Sequence, residues 1–332
     1  MISNLKFRFF IFVSVLISNL LFSQKLSLLH QEGNSNLRGL SVVDNNTIWV
    51  SGSKGTIGKT QDGGKNWKWI YPDGYADKEF RDIHAFDSLT AIVMTIASPG
   101  ILLKTIDGGK NWNKVYENTH PNIFLDAIDF RGKNGVCVGD PIDGRIFLIE
   151  TSNEGNSWQL VKEGLRPRTD SGEAFFAASG GNIKWFDSKN YAFVSGGMKS
   201  NFYCKQEKIN LPLLQGSSSA GANGFDLYKK TILVCGGDFS KDTLSDGSLA
   251  ISKDGGKTFS DKIRLGGYRS SISFASKKHI LACGTSGVDI SIDGGKSFTQ
   301  ISKESFNTCT SLDSRTWILI GKKGRIASLK ME

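Results

Sequence analysis

Five short segments of the sequence carry side chains that could do chemistry, at a fixed spacing. Each segment begins with Ser or Thr and has Asp or Asn two residues later, Gly at four and Trp or Phe at seven. The Asp or Asn and the aromatic residue of these five boxes are Asp62 and Trp67, Asp107 and Trp112, Asn153 and Trp158, Asp254 and Phe259, and Asp293 and Phe298. A carboxylate in such a position could act as a general acid or base, or as a calcium ligand.

The spacing argues against both kinds of chemistry. One copy per repeat unit cannot converge on a single active site, because the units of a repeat protein contact only their neighbours. A calcium loop needs several oxygen ligands at alternate positions, whereas DGGKNW supplies one carboxylate followed by Gly and Lys. Asp, Gly and a Ser or Thr hydroxyl do suit a tight turn, which the aromatic side chain would anchor. The boxes therefore predict structural turns, and we predict neither a metal site nor a cofactor.

The distances between boxes indicate the architecture that must position these turns. The box aromatics are 45, 46, 101 and 39 residues apart, so one unit between Trp158 and Phe259 lacks a box. Three strand-like runs precede each box and one follows it, as in LSVVD, TIWVSG, TIGKT and WKWIY of the first unit. Units of this length with four short strands are typical of propeller blades. With the chain's tail as a seventh unit, we predict an all-β, seven-bladed propeller of four-stranded antiparallel blades.

Two further features concern the ends and joints of this propeller. The tail supplies only three strands, and the run Lys25–Gln31 is otherwise unassigned, so we predict that this run completes the last blade and closes the ring. The unit without a box is expected to begin at Glu173. No linker divides residues 24–332, which predicts a single domain, and Leu213–Gly224 is expected to be a surface loop between blades.

The first 23 residues have the pattern of an export signal. Lys6 and Arg8 precede an apolar run from Phe9 to Ile17, and a small residue, Ser23, marks a cut before Gln24. We predict a signal peptide over residues 1–23, a periplasmic or secreted protein, and no stable membrane anchor after cleavage. An uncleaved anchor is the alternative, although the apolar run is short for a membrane span.

The net charge bears on the class of partner, and the cysteine content bears on disulfide bonding. The chain has 41 Lys and Arg against 32 Asp and Glu, a net charge of +9, which becomes +7 without residues 1–23. No dense basic run with interleaved aromatics is present, so we predict no nucleic-acid binding; an acidic partner is compatible with the charge. The five cysteines include no CxxC pair, and Cys137, Cys235 and Cys283 lie in apolar strand-like runs, which favours buried free thiols over disulfides.

The boxes resemble the Asp-box or BNR repeats of bacterial sialidases, sortilin-type receptors and photosystem II stability/assembly factor propellers. The phrase TIWVSGSKGTIGKTQDGGKNW, residues 47–67, is most similar to the last of these families, and the resemblance covers essentially the whole mature chain. GDPIDGR, residues 139–145, and GEAFFAASG, residues 172–180, also resemble an exported bacterial branch of it. The resemblance implies a seven-bladed propeller that binds a protein partner during assembly; it does not imply photosynthesis.

The candidate binding residues lie on the face opposite the boxes. A box between the third and fourth strands of a blade defines one face, so the loops between strands two and three, and between blades, lie on the other. Our hypothesis is that charged residues of these loops line a funnel for a polar ligand or for a charged segment of a partner; they are Arg81, Asp140, Asp143, Arg145, Glu173 and Asp238. The alternative is that these residues are solvated loop charges and salt bridges.

Enzymatic alternatives have less support. A sialidase would need an arginine cluster and a Tyr/Glu pair, for which Tyr268 and Glu173 are candidates, but the family's Arg-Ile-Pro signature is absent. Another glycosidase could use Asp140 and Glu173 as its two carboxylates. GSKGTIGKT, residues 52–60, has Ser53 where a phosphate loop needs Gly and lies between strands, and the four histidines lack metal-ligand spacing.

The sequence therefore predicts an exported, non-catalytic binding or assembly propeller. Its partner would be a protein or a glycan, held on the face opposite the boxes. The alternative is a glycoside hydrolase of the sialidase-like or another Asp-box type.

Overall fold

A computed structural model describes residues 24–331, so the predicted signal peptide, residues 1–23, lies outside the described part of the chain. The described residues form 29 strands and one short 3-10 helix, Glu163–Leu165. The first strand, β1, spans Gln24–His30. Between residues 24 and 331, no helix has the length and apolar character needed to cross a membrane.

The strands form seven antiparallel sheets arranged as the blades of a propeller, which confirms the predicted fold. The first three blades each have four strands in simple meander order. They are β2 (Leu37–Val42), β3 (Ile48–Gly52), β4 (Ile57–Thr60) and β5 (Lys68–Ile70); β6 (Phe80–Ala85), β7 (Ala91–Thr95), β8 (Gly100–Thr105) and β9 (Asn113–Asn118); and β10 (Leu125–Arg131), β11 (Asn134–Ile142), β12 (Arg145–Thr151) and β13 (Gln159–Leu160).

Blades 4 and 5 depart from this regular pattern. Two short strands, β14 (Glu173–Ala174) and β17 (Gly196–Gly197), join the sheet of blade 5, which therefore has the order β14-β17-β20-β21-β22. Blade 4 comprises β15 (Ile183–Trp185), β16 (Tyr191–Val194), β18 (Asn201–Cys204) and β19 (Glu207–Asn210), and blade 5 adds β20 (Ala220–Tyr228), β21 (Thr231–Asp238) and β22 (Leu249–Ser252). After the box of blade 5, a single bridge between Ile251 and Ser260 stands in place of a fourth strand.

Two predicted boundaries are wrong in this region. Blade 4 begins at Ile183 rather than Glu173, because the residues after Glu173 leave the blade and cross to other parts of the ring. The predicted surface loop Leu213–Gly224 becomes strand from Ala220 onward, and Ala220 to Gly224 are buried, whereas residues 214–219 are half-buried or exposed. Its glycines allow close backbone approach: a Cβ at Gly196 would lie 3.1 Å from the Cα of Gly221.

The N-terminal strand closes the ring, as predicted. Blade 6 consists of β23 (Ser271–Phe274), β24 (Ile280–Gly284), β25 (Gly287–Ser291) and β26 (Thr299–Ser302), and blade 7 of β27 (Thr308–Ser311), β28 (Thr316–Ile320), β29 (Ile326–Met331) and β1. β1 is antiparallel to β29, with register pairs from Gln24–Met331 to His30–Ile326. This pairing covers the free edge that β29 would otherwise expose.

The core lies between blades. Each of seven apolar clusters joins two neighbouring blades; for example, Trp49 of blade 1 packs with Phe80 and Val93 of blade 2. All five cysteines lie within the described residues and are free, which agrees with the expected thiols; Cys204 is half-buried and the others are buried. The blades are therefore held together by apolar packing, and not by covalent links between cysteines.

Candidate functional site

Each box is a hydrogen-bonded turn. In the first box, the hydroxyl of Thr60 donates to Asp62 Oδ1 (2.8 Å) and accepts from the backbone N–H of Gly64 (3.0 Å). Asp62 Oδ1 also accepts from the N–H of Asn66 (2.9 Å), and the indole of Trp67 donates to the carbonyl of Gly64 (3.1 Å). The same hydroxyl-to-side-chain bond, at 2.7–2.9 Å, joins Thr105 to Asp107, Thr151 to Asn153, Ser252 to Asp254 and Ser291 to Asp293.

The turn donors keep the box carboxylates ionised. The backbone N–H of Asn66, followed by its side-chain amide, lowers the pKa of Asp62 to about 2. Asn111 lowers the pKa of Asp107 to about 2 in the same way. A group that is ionised at all ordinary pH values and bound by its own turn is poorly suited to proton transfer near neutral pH. These contacts indicate that the box residues stabilise the turn.

Each box turn also covers the blade that precedes it. A Cβ on Gly109 would lie 2.6 Å from Ile70 Cδ1 of blade 1, and one on Gly155 would lie 2.2 Å from Ile92 Cδ1 of blade 2. In the same way, a Cβ on Gly256 would lie 2.8 Å from Phe202 of blade 4. The glycine four residues after the Ser or Thr of the box is therefore needed, because the turn backbone rests on the neighbouring blade.

On the opposite face, a segment crosses the central axis. This strap, residues 175–181, leaves the ring after blade 3 and returns to it as blade 4. Five hydrogen bonds tie it to blades 3, 2, 1, 6 and 5: Phe175 N to Asp140 Oδ1 (2.8 Å), Arg81 Nη1 to Ala177 O (3.1 Å), Arg38 Nη1 to Ala178 O (2.9 Å), Ser179 Oγ to Ser270 O (2.7 Å) and Phe225 N to Gly181 O (2.9 Å). A segment bonded to blades all around the ring must lie across its centre.

Beneath the strap lies a cavity of about 350 Å³, lined by the innermost strands of the blades. Its acidic side chains link neighbouring strands: Asp82 Oδ2 accepts from Ile128 N (2.8 Å), and Asp129 Oδ2 accepts from Trp185 N (2.8 Å). Burial raises the pKa of Asp82 to about 7. The carboxylates in the channel thus fasten blades to one another, and no cluster of ligands that could hold a metal is found among residues 24–331.

Three of the predicted binding residues meet at the strap. Arg81 and Asp140 hold it by the hydrogen bonds just given, and Glu173 begins the short strand that leads into it. Asp140 is largely buried, and this burial raises its pKa. Two side chains predicted to line a funnel, Arg81 and Asp140, therefore bind a segment of the chain itself.

Glu173 is buried and its oxygens are fully engaged. Its Oε1 accepts from Ser195 Oγ, from Asn201 Nδ2 (3.0 Å) and from Tyr203 OH (2.6 Å). Its Oε2 accepts from the N–H of Asp170 (2.8 Å), and Lys208 Nζ lies 3.6 Å away. Tyr268, its suggested sialidase-like partner, instead donates to Asn223 Oδ1 (2.7 Å).

The other three predicted residues lie away from the centre of the strap. Asp143 is exposed in a tight turn with a positive φ of 54°. Arg145 makes a salt bridge with Glu163 (3.1 Å) and donates to the carbonyl of Arg166. Asp238 accepts two hydrogen bonds from Ser240, and Phe239, which follows it, packs edge-on against Phe176 of the strap at 5.6 Å between ring centroids.

Sequence reasoning missed two residues of this region. Arg38 holds the strap beside Arg81, and burial lowers its pKa to about 10. Asp126 is fully buried, and its burial, followed by the charge of Asp140, raises its pKa well above the usual range. Arg38, Arg81 and Asp126 are each the second residue of an innermost strand, directly after a buried apolar residue. Alignment of the first strands of the blades could have identified them.

No protein-family model and no curated protein matches this chain. Solved structures do share its fold. The structure titled YCF48 bound to D1 peptide is 16% identical, covers 93% of this chain and 96% of its own, and has a TM-score of 0.63. YCF48 from Cyanidioschyzon merolae is 18% identical, with coverages of 92% and 98% and a TM-score of 0.65.

The structure of an enzyme is similar to this chain to the same degree. The Niastella koreensis GH74 enzyme is 14% identical, covers 91% of this chain and 53% of its own, and has a TM-score of 0.64. At identities this low, all three structures show a shared propeller fold and nothing about activity. The fold is common to a peptide-binding protein and to an enzyme, so function must be argued from the site.

Proposed function

We propose that the protein is an exported, non-catalytic binding or assembly propeller that holds a protein partner, or another polar ligand, on the face opposite its box turns. The main support for this proposal is the position of the strap. It lies across the axis of that face and converts a ring with a central opening into a continuous surface. Arg38 and Arg81 donate hydrogen bonds to its carbonyl groups and so fasten the strap to blades 1 and 2.

Exposed apolar side chains lie on this surface. Phe239 is 48% exposed and packs against Phe176 of the strap. Met198, 47% exposed, follows the strand that pairs with β14 at the start of the strap. Aromatic residues and Met are enriched where proteins bind other proteins, and exposed apolar groups on a rigid surface commonly mark such sites. Charged residues at the rim, including Asp143 and Arg145, would give orientation to a bound segment.

Known propellers supply a precedent. A structure with this fold was solved with a D1 peptide bound. The sequence also resembles the photosystem II stability/assembly factor propellers, which implies a protein partner during assembly. The partner of this chain need not be the same, and we propose only that its class is a protein segment or a similar polar ligand.

Matched substitutions on the two faces test the proposal. Met198→Asp and Phe239→Asp would place charges on the strap face. Ile106→Asp and Ile292→Asp change apolar residues of the box turns that are also exposed, at 66% and 44%. The tagged protein is recovered from the envelope fraction of its own source, and co-purified proteins are quantified by mass spectrometry. We expect a partner that is lost with the first pair and retained with the second. Equal recovery with all four variants, or loss only with the box variants, would contradict the proposal.

A glycoside hydrolase is the second candidate, because the GH74 enzyme shares the fold. Of its two suggested carboxylates, Asp140 accepts a hydrogen bond from the strap residue Phe175, and Glu173 accepts hydrogen bonds from Asp170 and from side chains next to and within blade 4. These bonds support a structural function for both carboxylates. A reporter-sugar hydrolysis screen with wild type and Glu173→Gln distinguishes the candidates. Turnover that Glu173→Gln abolishes, in a variant that still folds, would favour the hydrolase.

The proposed export rests on the sequence of residues 1–23. Fusion of these residues to a reporter enzyme that is active only outside the cytoplasm tests it. We expect reporter activity and a shortened product whose N-terminus is Gln24.

A further inference from the structure

Seven lysines lie close together on the box face, the face of the ring that carries the box turns. All belong to blades 5 and 6. Four are in the turns between the first and second strands of these blades and three are in their boxes; they are Lys229, Lys230, Lys277 and Lys278, and Lys253, Lys257 and Lys296. All seven are exposed, and within residues 24–331 none of them makes a salt bridge. We call these seven residues the basic surface.

Backbone contacts hold the four turns of the basic surface side by side. In each blade the box donates to the turn between the first and second strands: Gly255 N to Lys230 O (2.9 Å) and Gly294 N to Lys278 O (3.0 Å). The box of blade 6 also rests on blade 5, since a Cβ on Gly295 would lie 3.4 Å from Leu233 Cδ2. The turns are the tips of hairpins at equivalent positions in two adjacent blades, so the lysines form one continuous, projecting surface.

The charge of the basic surface is not balanced by acidic residues. The four turns contain two aspartates, each of which accepts from the N–H of its own box: Asp254 from Lys257 (3.0 Å) and Asp293 from Lys296 (2.9 Å). Seven lysines against two aspartates give these turns a net charge of +5, with His279 counted as neutral. The equivalent turns of blades 1 and 2 have a net charge of −2, from two lysines and four aspartates; they are Lys65 and Lys110, and Asp44, Asp62, Asp87 and Asp107.

Turn chemistry does not account for these lysines. In blades 1, 2, 4 and 7 the turn between the first and second strands has an Asp that accepts from backbone N–H groups of that turn, as Asp87 does from Leu89 and Thr90. In blade 5 the turn is Lys229–Lys230, and Lys229 has a positive φ of 58°, which favours Asn or Gly. Like charges at this density repel one another, so an anionic partner would stabilise them.

We propose that the basic surface docks the protein on a membrane that contains anionic lipids. Each lysine close to such a membrane is attracted to its negative surface, and the contributions of several lysines add together. Ile292, 44% exposed in the box of blade 6, supplies an apolar side chain for the boundary between headgroups and acyl chains. Cationic and apolar side chains on one projecting surface are the two requirements for binding at a membrane interface.

Other anionic partners fit this surface less well. Single-stranded nucleic acids stack on exposed rings, but the aromatic residues of these turns, Tyr228, Phe259 and Phe298, are half-buried against the apolar clusters between blades. Peptides bind in grooves or along sheet edges, whereas the tips of hairpins offer neither. A membrane is itself a broad anionic surface. Docking in this way leaves the strap face free on the other side of the ring, and it does not depend on the function proposed for that face.

A matched pair of double variants tests the inference. Lys257→Ala with Lys296→Ala removes two charges from the basic surface, whereas Lys65→Ala with Lys110→Ala removes two charges at the same box position in blades 1 and 2. The protein used is residues 24–332, which include every blade. The probes are vesicles of equal parts phosphatidylglycerol and phosphatidylcholine, and vesicles of phosphatidylcholine alone. Co-sedimentation measures binding, and thermal unfolding checks that both variants fold.

We expect wild type to bind the anionic vesicles, more weakly as the salt concentration rises, and not to bind the neutral vesicles. The Lys257/Lys296 variant should bind about thirtyfold more weakly, and the Lys65/Lys110 variant should stay within about threefold of wild type. Phe239→Asp, on the strap face, should bind the vesicles as wild type does.

Three results would overturn the proposal. The first is that wild type does not bind the anionic vesicles, or binds the neutral vesicles equally well. The second is that the two double variants lose the same amount of binding, or that only Phe239→Asp loses it. The third is that duplex DNA or polyglutamate binds to wild type while the anionic vesicles do not.

Discussion

Replacement of Glu173 by Ala should strongly destabilise the protein, although the sequence predicts that Glu173 lies in a loop between blades. The side chain is fully buried, and its removal leaves donors without an acceptor. These donors are Ser195 Oγ, Asn201 Nδ2, Tyr203 OH and the N–H of Asp170, with Lys208 nearby. A buried donor left unsatisfied costs about 1–3 kcal/mol, and removal of one member of a buried charged network costs about 3–5 kcal/mol.

Because the donors are linked and some can reach water after the change, we expect a loss of about 3–5 kcal/mol in the free energy of unfolding, not the sum of the separate terms. Glu173→Gln keeps the shape and one acceptor oxygen, so its loss should be smaller, about 1–3 kcal/mol. Glu163→Ala is the control, since its side chain is 73% exposed and makes one surface salt bridge; its loss should stay below about 0.5 kcal/mol.

Urea-induced unfolding followed by tryptophan fluorescence measures all three variants. The expected order of destabilisation is Glu173→Ala, then Glu173→Gln, then Glu163→Ala. A loss below about 1 kcal/mol for Glu173→Ala would refute the view that this carboxylate anchors the segment leading into the strap. It would also favour a chemical over a structural function for Glu173.

Three further predictions concern the ring and its turns. Burial raises the pKa of Asp82 to about 7, so the folded protein binds a proton there that the unfolded chain has lost. The free energy of unfolding should therefore fall as the pH rises from about 4 to about 7. Asp82→Asn should reduce this pH dependence, measured as the urea midpoint at each pH. The pKa of Asp107 is lowered to about 2, so its ionised carboxylate stabilises the folded protein above about pH 4, and this stabilisation is lost as the pH falls toward 2. Asp107→Asn should reduce the loss of stability between about pH 4 and about pH 2. Gly109→Ala places a Cβ against Ile70 at a residue with positive φ, and should lower the free energy of unfolding by about 2–3 kcal/mol. Gly132→Ala is the control, because its φ is also positive but its Cβ would meet nothing within 4 Å, and it should cost about 1 kcal/mol. Equal losses would contradict the view that box turns rest on the preceding blade.

The regular parts of the fold could be predicted from the sequence because the box repeats a local signal at a nearly constant spacing. The box aromatics gave the blade boundaries, and the spare strand-like run before Leu37 had only one free edge to pair with. The ring closure by β1 follows from this count of strands. Local turn chemistry and strand counting do not depend on long-range contacts, so one sequence contains the information needed.

The strap could not be predicted, because nothing local marks a segment that leaves its blade. Glu173 and the residues after it have the composition of an ordinary strand-and-loop unit, and their course is set by partners far apart in sequence, such as Arg38 and Ala178. The same distance in sequence explains why the sequence places Arg81 and Asp140 on one face but does not predict their common attachment to the strap. Gly196 and Gly221 likewise look like loop residues until their strands are seen in contact.

Hydrogen–deuterium exchange of the protein with and without its co-purified partner would show which face the partner covers. We expect slower exchange on binding in the strap, residues 175–181, and in the loop that contains Phe239, with unchanged exchange in the box turns. Slower exchange confined to the box turns, with the strap unaffected, would contradict the claim that the partner binds on the face opposite the boxes.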